Sequence, residues 1–152
     1  MVGGDAYFYN FETIKDNVTR NSSSIWISPN FGYFIKNQFA IGSKIEMNFI
    51  KNGSDNYTFT PFTRYYFIKP NKMINYFLEA RAGYGFGISK YDNSKYYLNK
   101  YGLKSGIVVF LNQSVGFEFS LDYLKTNHLT RKDKTNLLKI GFGLQIYLKK
   151  DR

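Results

Sequence analysis

His128 is the chain's one histidine, and a catalytic histidine needs a group that orients it and a nucleophile or substrate within reach. It lies in a basic polar stretch with Lys125, Asn127, Arg131, Lys132 and Lys134, where Asp133 is the nearby carboxylate. Nothing in that spacing marks Asp133 as an orienting partner, so the expected role of His128 is that of a solvated loop residue. Glu118 and Asp122 have the side chains of an acid–base pair. On an extended strand, however, positions i and i+4 are about 13 Å apart, at roughly 3.3 Å per residue. That is too far for a glycosidase pair. The glycines of Gly83-Tyr84-Gly85-Phe86-Gly87 repeat every second residue with no helix to follow, unlike a phosphate-cradling loop. The chain has no cysteine, which excludes disulfides, thiol catalysis and Cys-based zinc sites, and a single histidine excludes multi-histidine metal sites. No catalytic centre, metal or cofactor is expected. The remaining chemistry lies in a charged set of mixed sign: Lys44, Glu46, Arg64, Glu79, Arg81, Lys100, Lys104, Glu118, Asp122 and Lys139. Brought together away from water, such groups neutralise one another, because buried charges need partners.

The elements that hold those charges have a period of two. In 74–89, Ile74, Tyr76, Leu78, Ala80, Ala82, Tyr84, Phe86 and Ile88 alternate with Asn75, Phe77, Glu79, Arg81, Gly83, Gly85, Gly87 and Ser89. A helix would scatter both sets around its circumference. The same split recurs in 25–35, 39–49, 57–67, 97–111, 113–123 and 136–148, and a less regular first strand spans about 3–11, with Asp5 on its polar face. Eight strands follow with no helical segment between them. Short turns are expected at 36–38, 70–72 and 112–113, and longer polar loops around 12–22, 51–56, 90–95 and 125–135. Pro29 and Pro61 fall inside two strands and each removes a ladder donor, which calls for a bulge, a kink or a shorter strand.

Composition agrees with this reading. The 152 residues suit one domain, 1–152, and 15 Phe with 14 Tyr favour strands. No apolar run approaches the roughly 18 residues of a spanning helix; the longest is 107–111. The start, Met1-Val2-Gly3-Gly4-Asp5, has neither a positive region nor an apolar core of a signal peptide. The chain is therefore either cytoplasmic or a mature form carrying an added Met1, and the strands are left to decide.

An amphipathic eight-stranded sheet closes with its apolar face inside, as in a soluble carrier, or outside, as in a membrane barrel. Three features favour the second. When each strand is phased by its apolar residues alone, all ten charges named above fall on the opposite face. Lipid imposes such purity, at about 2–4 kcal/mol for an Arg or Lys at mid-depth, whereas water does not. The small residues Gly83, Gly85, Gly87, Gly102, Gly106, Gly116, Gly141 and Gly143 share the charged face, as a narrow lumen requires. Tyr33, Tyr57, Tyr65, Tyr76, Tyr97, Tyr101 and Tyr123 recur toward strand ends, as an interfacial girdle does. A soluble β-sandwich is the plainer alternative.

Several stretches resemble the small outer-membrane β-barrel family of Gram-negative bacteria, similar in layout to outer-membrane protein X and the barrel of outer-membrane protein A. They are Ile27-Ser28-Pro29-Asn30-Phe31-Gly32-Tyr33-Phe34 with Phe39-Ala40-Ile41-Gly42, then Pro61-Phe62-Thr63-Arg64-Tyr65-Tyr66-Phe67, then Glu79-Ala80-Arg81-Ala82-Gly83-Tyr84-Gly85-Phe86-Gly87. The resemblance spans nearly the whole chain and concerns the scaffold. It implies a closed eight-stranded antiparallel up-and-down transmembrane β-barrel in the cell outer membrane, its signal peptide removed. Such barrels usually end on an aromatic residue that the assembly machinery reads. Here Tyr147-Leu148 is followed by Lys149-Lys150-Asp151-Arg152.

The functional expectation is a non-enzymatic barrel whose charged lumen is plugged, acting in structure, surface interaction or as a small subunit of a larger membrane complex. The net charge of +10 is spread over loops and lumen with no compact basic helix, which argues against nucleic acid. Lys15, Arg20, Lys51, Lys90, Lys95, Lys125, Arg131, Lys132 and Lys134 suit contact with lipopolysaccharide phosphates. A carrier for an apolar ligand and a lipid-modifying outer-membrane enzyme built on His128 are the alternatives.

Overall fold

Period-two alternation puts apolar and polar side chains on opposite faces of a sheet, and a sheet escapes unpaired edges by closing. In the computed structural model, eight strands close. They are β1 (Val2–Lys15), β2 (Val18–Lys36), β3 (Phe39–Ile50), β4 (Ser54–Tyr66), β5 (Ile74–Ser89), β6 (Lys95–Phe110), β7 (Val115–His128) and β8 (Lys134–Ile146). Each pairs antiparallel with the next, and β8 returns to β1. The structure describes residues 1–15, 18–51, 53–68, 73–130 and 134–147, without the side chains of 9–22. The expected turn at 70–72, Arg131, Lys132, Asp133 and the tail from Leu148 lie outside the described residues, as do the side chains of Lys15 and Arg20.

Val2 stands opposite Ile146, so the first and last strands start and finish at one end. The turns at 37–38 and 111–114 lie at that end. In the second, the Asn112 side-chain oxygen accepts the backbone N–H groups of Ser114 and Val115, each at 2.8 Å. The opposite end differs from the sequence reading. Residues expected in a loop at 12–22 belong to β1 through Lys15 and to β2 from Val18. In the same way β7 continues to His128, placing that histidine at a strand end rather than in a loop. The strands therefore outrun their amphipathic stretches. Backbone pairing does not need alternating side chains.

Both prolines are accommodated without a bulge. Pro29 stands opposite Gly4 on β1 and Pro61 opposite Ser43 on β3, with unbroken ladders on those sides. Toward the other neighbour the pairing skips two residues and resumes in the same register, from Ile27 to Asn30 and from Phe59 to Phe62. The missing donor thus interrupts one ladder locally and leaves strand length intact. A register shift occurs instead between Phe34 and Lys36.

Asp92, in the loop after β5, accepts hydrogen bonds from the Ser94 hydroxyl at 2.8 Å and its backbone N–H at 3.2 Å. Hydrogen bonds from Ser89 and Ser94 pull its carboxyl down from 3.8 to about 2. A depressed carboxylate stabilises above its unfolded value and stops doing so as pH falls through the folded one. Order in this loop should therefore persist at pH 4 and be lost through about pH 2. The Ser94 amide resonance, followed by NMR across that range, checks this.

Candidate functional site

Closure turns one face of every strand outward. Phe142 is 60% exposed, and Leu78, Phe119, Leu121, Ile140 and Leu144 share its face. Phe119 and Phe142 stand opposite each other, with rings in an edge contact at 5.4 Å. Aromatic contacts also cross strands toward the loop end, Phe49 to Tyr57 at 6.0 Å and Tyr57 to Phe86 at 5.5 Å. Tyr33, Tyr65 and Tyr76 are exposed toward the other end.

The inward face carries the charges, in two connected clusters. Nearer the termini, Arg64 Nε and Nη2 donate to Glu79 Oε2 at 2.9 and 2.7 Å, and Nη1 donates to Glu118. Lys44 lies 2.6 Å from Glu79 and 3.7 Å from Asp5. Lys104 donates to Asp5 at 2.8 Å and to Glu118 at 3.3 Å. Three cations here meet three carboxylates. Nearer the loops, Arg81 Nη2 donates to both oxygens of Asp122 at 2.8 Å, and Arg81 lies 3.3 Å from Glu46. Lys100 donates to Glu46 at 3.1 Å, and Lys139 lies 3.4 Å from Asp122. Three cations here meet two carboxylates. A 3.4 Å contact between Arg81 and Glu79 joins the clusters. Arg64 and Glu79 are completely buried. Charges so placed persist because each is paired with opposite charge, and Lys100 and Lys139, with one carboxylate apiece, also lie over aromatic rings.

Aromatic groups cover both sides of the network. Toward the termini, Arg64 lies over the Phe77 ring at 4.4 Å and donates to the Tyr66 hydroxyl at 3.1 Å. The Tyr66 and Tyr147 hydroxyls are hydrogen-bonded at 2.9 Å, and Phe34, Phe62, Val108 and Phe110 pack around them. Toward the loops, Lys139 lies over the Trp26 ring at 3.5 Å and the Tyr7 ring at 4.3 Å, with Lys100 over Trp26 at 4.4 Å. The Tyr96 hydroxyl donates to Asn56 at 2.7 Å.

The ten charged residues singled out in the sequence all face the lumen and join these two clusters. Asp5 belongs with them but was not included. Its strand carries aromatic residues in both phases at Tyr7 and Phe8, which hides the period. The aromatic floor was also missed, because Phe62, Phe77 and Val108 sit on the face that charge otherwise identifies. Glu118 and Asp122 serve different clusters. His128 packs against the Tyr96 ring at 5.4 Å. Among the described residues, no group of three or more His, Cys, Asp or Glu side chains is placed to hold a metal ion.

Glycines make room for the network. A Cβ on Gly102 would stand 3.1 Å from the Arg81 guanidinium, and one on Gly143 would collide with the Asp5 carboxylate. Gly143→Leu should therefore destabilise the barrel by about 1–3 kcal/mol through overpacking. Comparing the thermal midpoints of gel mobility for the two proteins tests this.

No family profile matches the chain, and a search of curated proteins returns no significant match. Solved structures do match. The crystal structure of Neisserial surface protein A superposes with a TM-score of 0.69 at 13% identity, covering 97% of this chain and 96% of that one. The chain has the fold of a small outer-membrane β-barrel. A de novo designed transmembrane β-barrel (TM-score 0.42, 10% identity, 95% and 93% coverage) and the NanC porin (0.40, 10%, 97% and 100%) are more distant, and no argument rests on them.

Proposed function

We propose that the protein is an integral, non-catalytic barrel of the cell outer membrane whose lumen is plugged by its own charges. It would act in structure, surface interaction or as a small subunit of a larger membrane complex. One observation carries the reading: apolar side chains cover the outside while eleven charged side chains pair across the inside, from β1 to β8. A soluble carrier needs the reverse, with Phe142 inside and Arg81 outside.

The plug has a direct test. Purified protein in planar bilayers should show little steady conductance, an expectation supported by the complete burial of Arg64, Glu79 and Lys104 in the lumen. Large, stable openings of defined size would reject it. Membrane residence predicts detergent-dependent extraction and heat-modifiable gel migration.

At the loop end, Lys51, Lys90, Lys95, Lys125 and Lys134 offer cations to lipopolysaccharide phosphates. Lys90 is already engaged, 2.7 Å from Asp55 and donating to the Ile50 carbonyl at 3.0 Å. Exposed pairs of this kind are weak and screened by salt, so any such contact acts through the group.

A further inference from the structure

The join between β1 and β8 is incomplete. Its ladder runs from Val2 opposite Ile146 to Ala6 opposite Phe142 and stops there. Above that point β1 continues to Lys15 paired with β2, and β8 extends back to Lys134 paired with β7. Among the described residues, the two strand edges are thus unpaired with each other over 134–141 and 7–15. Five paired residues on a strand tilted by about 40° rise roughly 12 Å, about half of a ~25 Å apolar band. The seam therefore begins inside the loop-side half of the hydrocarbon, where unpaired backbone groups are costly. A side chain rather than backbone spans it at the bottom: the Tyr7 hydroxyl lies against Gly141, where an added Cβ would come within 2.6 Å of it.

Behind the seam sits the unbalanced half of the lumen. The loop-side cluster has one cation in excess. Lys139, on the seam strand itself, has the longest ion pair of that cluster and a side chain 11% exposed. The indole N–H of Trp26, under the Lys139 ammonium, is buried and has no hydrogen-bond partner among the described residues. Outside, Phe8, Leu138 and Ile140 flank the opening with exposed apolar side chains.

We propose that the β1–β8 seam takes the anionic headgroup of a lipid from the surrounding leaflet, an inference that rests on the membrane reading above. The headgroup oxygens would accept hydrogen bonds from Lys139 and the Trp26 indole and from free N–H groups of the strand edges. The acyl chains would remain outside against Leu138 and Ile140. Charge complementarity and the apolar flanks select this occupant, since a soluble anion has no use for the flanks and a neutral lipid none for the lysine.

Trp26 is the chain's one tryptophan and so reports on its own site. The full chain, refolded in phosphocholine micelles, is titrated with brominated phosphatidylglycerol and, separately, with brominated phosphatidylcholine. Quenching of Trp26 should saturate with phosphatidylglycerol at a mole fraction about tenfold lower than with phosphatidylcholine, the weight of one charged hydrogen bond. Lys139→Gln should remove that preference and Lys139→Arg should keep it, with heat-modifiable migration confirming that both fold.

Equal quenching by both lipids, or an unchanged preference in Lys139→Gln, overturns the proposal. So does inorganic phosphate alone shifting Trp26 emission to the same extent, which would mean that a free ion occupies the site. Amide exchange at 134–141 that slows as protein concentration rises, without added lipid, would place a second copy on the edge and also overturn it. Failure of the chain to insert into bilayers at all would instead count against the membrane reading.

Discussion

Arg64→Met should cost about 3–5 kcal/mol of barrel stability, because it leaves two buried carboxylates short of their strongest partner. The guanidinium is completely buried and bridges Glu79 on β5 to Glu118 on β7 across the lumen. Lys44, Arg81 and Lys104 remain nearby, but their distances to Glu79 and Glu118 are set by their own strands. A loss of that size is a large fraction of the 5–15 kcal/mol that holds a typical domain together. Arg64→Lys should be intermediate, since an ammonium keeps the charge and loses the fork. Adding Glu118→Gln to Arg64→Met should recover part of the loss, because one of the stranded charges goes with it. Equilibrium urea titrations of vesicle-inserted protein measure all three. A near-neutral Arg64→Met would mean that the lumen is hydrated enough to solvate carboxylates.

Phe142→Arg should impair insertion by about 2–4 kcal/mol near mid-depth of the bilayer. Phe142 lies on the outward face, opposite Ala6 on β1 and Phe119 on β7, in the last fully paired row of the join. On the membrane reading, an arginine there meets hydrocarbon in place of the Phe119 ring edge. The inward neighbour Gly143 responds to volume rather than charge, so the two adjacent positions separate the two faces. Folding yield into vesicles at graded urea gives the measurement. An unimpaired Phe142→Arg would contradict lipid contact at that row.

The sequence was legible where an apolar outer face and a crowded, charged lumen dictate side-chain type. Residues 74–89 were read as one strand and are β5 without a residue's difference. The phase that put Arg64, Glu79 and Lys104 on one face is the phase of the lumen. Legibility ended where the environment stops discriminating. At 18–24 and 125–128 both faces of the strand carry polar residues, and the reading stopped short of the real strand ends. At the terminus-side mouth the lumen itself becomes apolar, so Phe77, although phased with Glu79 and Arg81, carried no sign that it joins Phe62 in an aromatic floor. The pairing partners were illegible for another reason. Whether Arg64 meets Glu79 or Asp122 depends on strand stagger around the closed barrel, which no local pattern encodes.

The short join has a consequence for how the chain acquires its shape. Seven of the eight strand pairings link neighbours in sequence and can form as successive hairpins, each with a small loop-closure entropy. The eighth brings the two ends of the chain together through five residue pairs, and Lys104 reaches Asp5 across 99 positions. Non-local pairings of this kind are the slow ones. Until the join forms, β1 and β8 present bare edges to any other unfinished copy, the geometry that invites aggregation. The Lys104–Asp5 bond then works as a latch on the last step: weakening it should lengthen the lifetime of the open sheet more than it lowers the final stability. Time-resolved gel mobility of Asp5→Asn during refolding would show that as a slower appearance of the compact band.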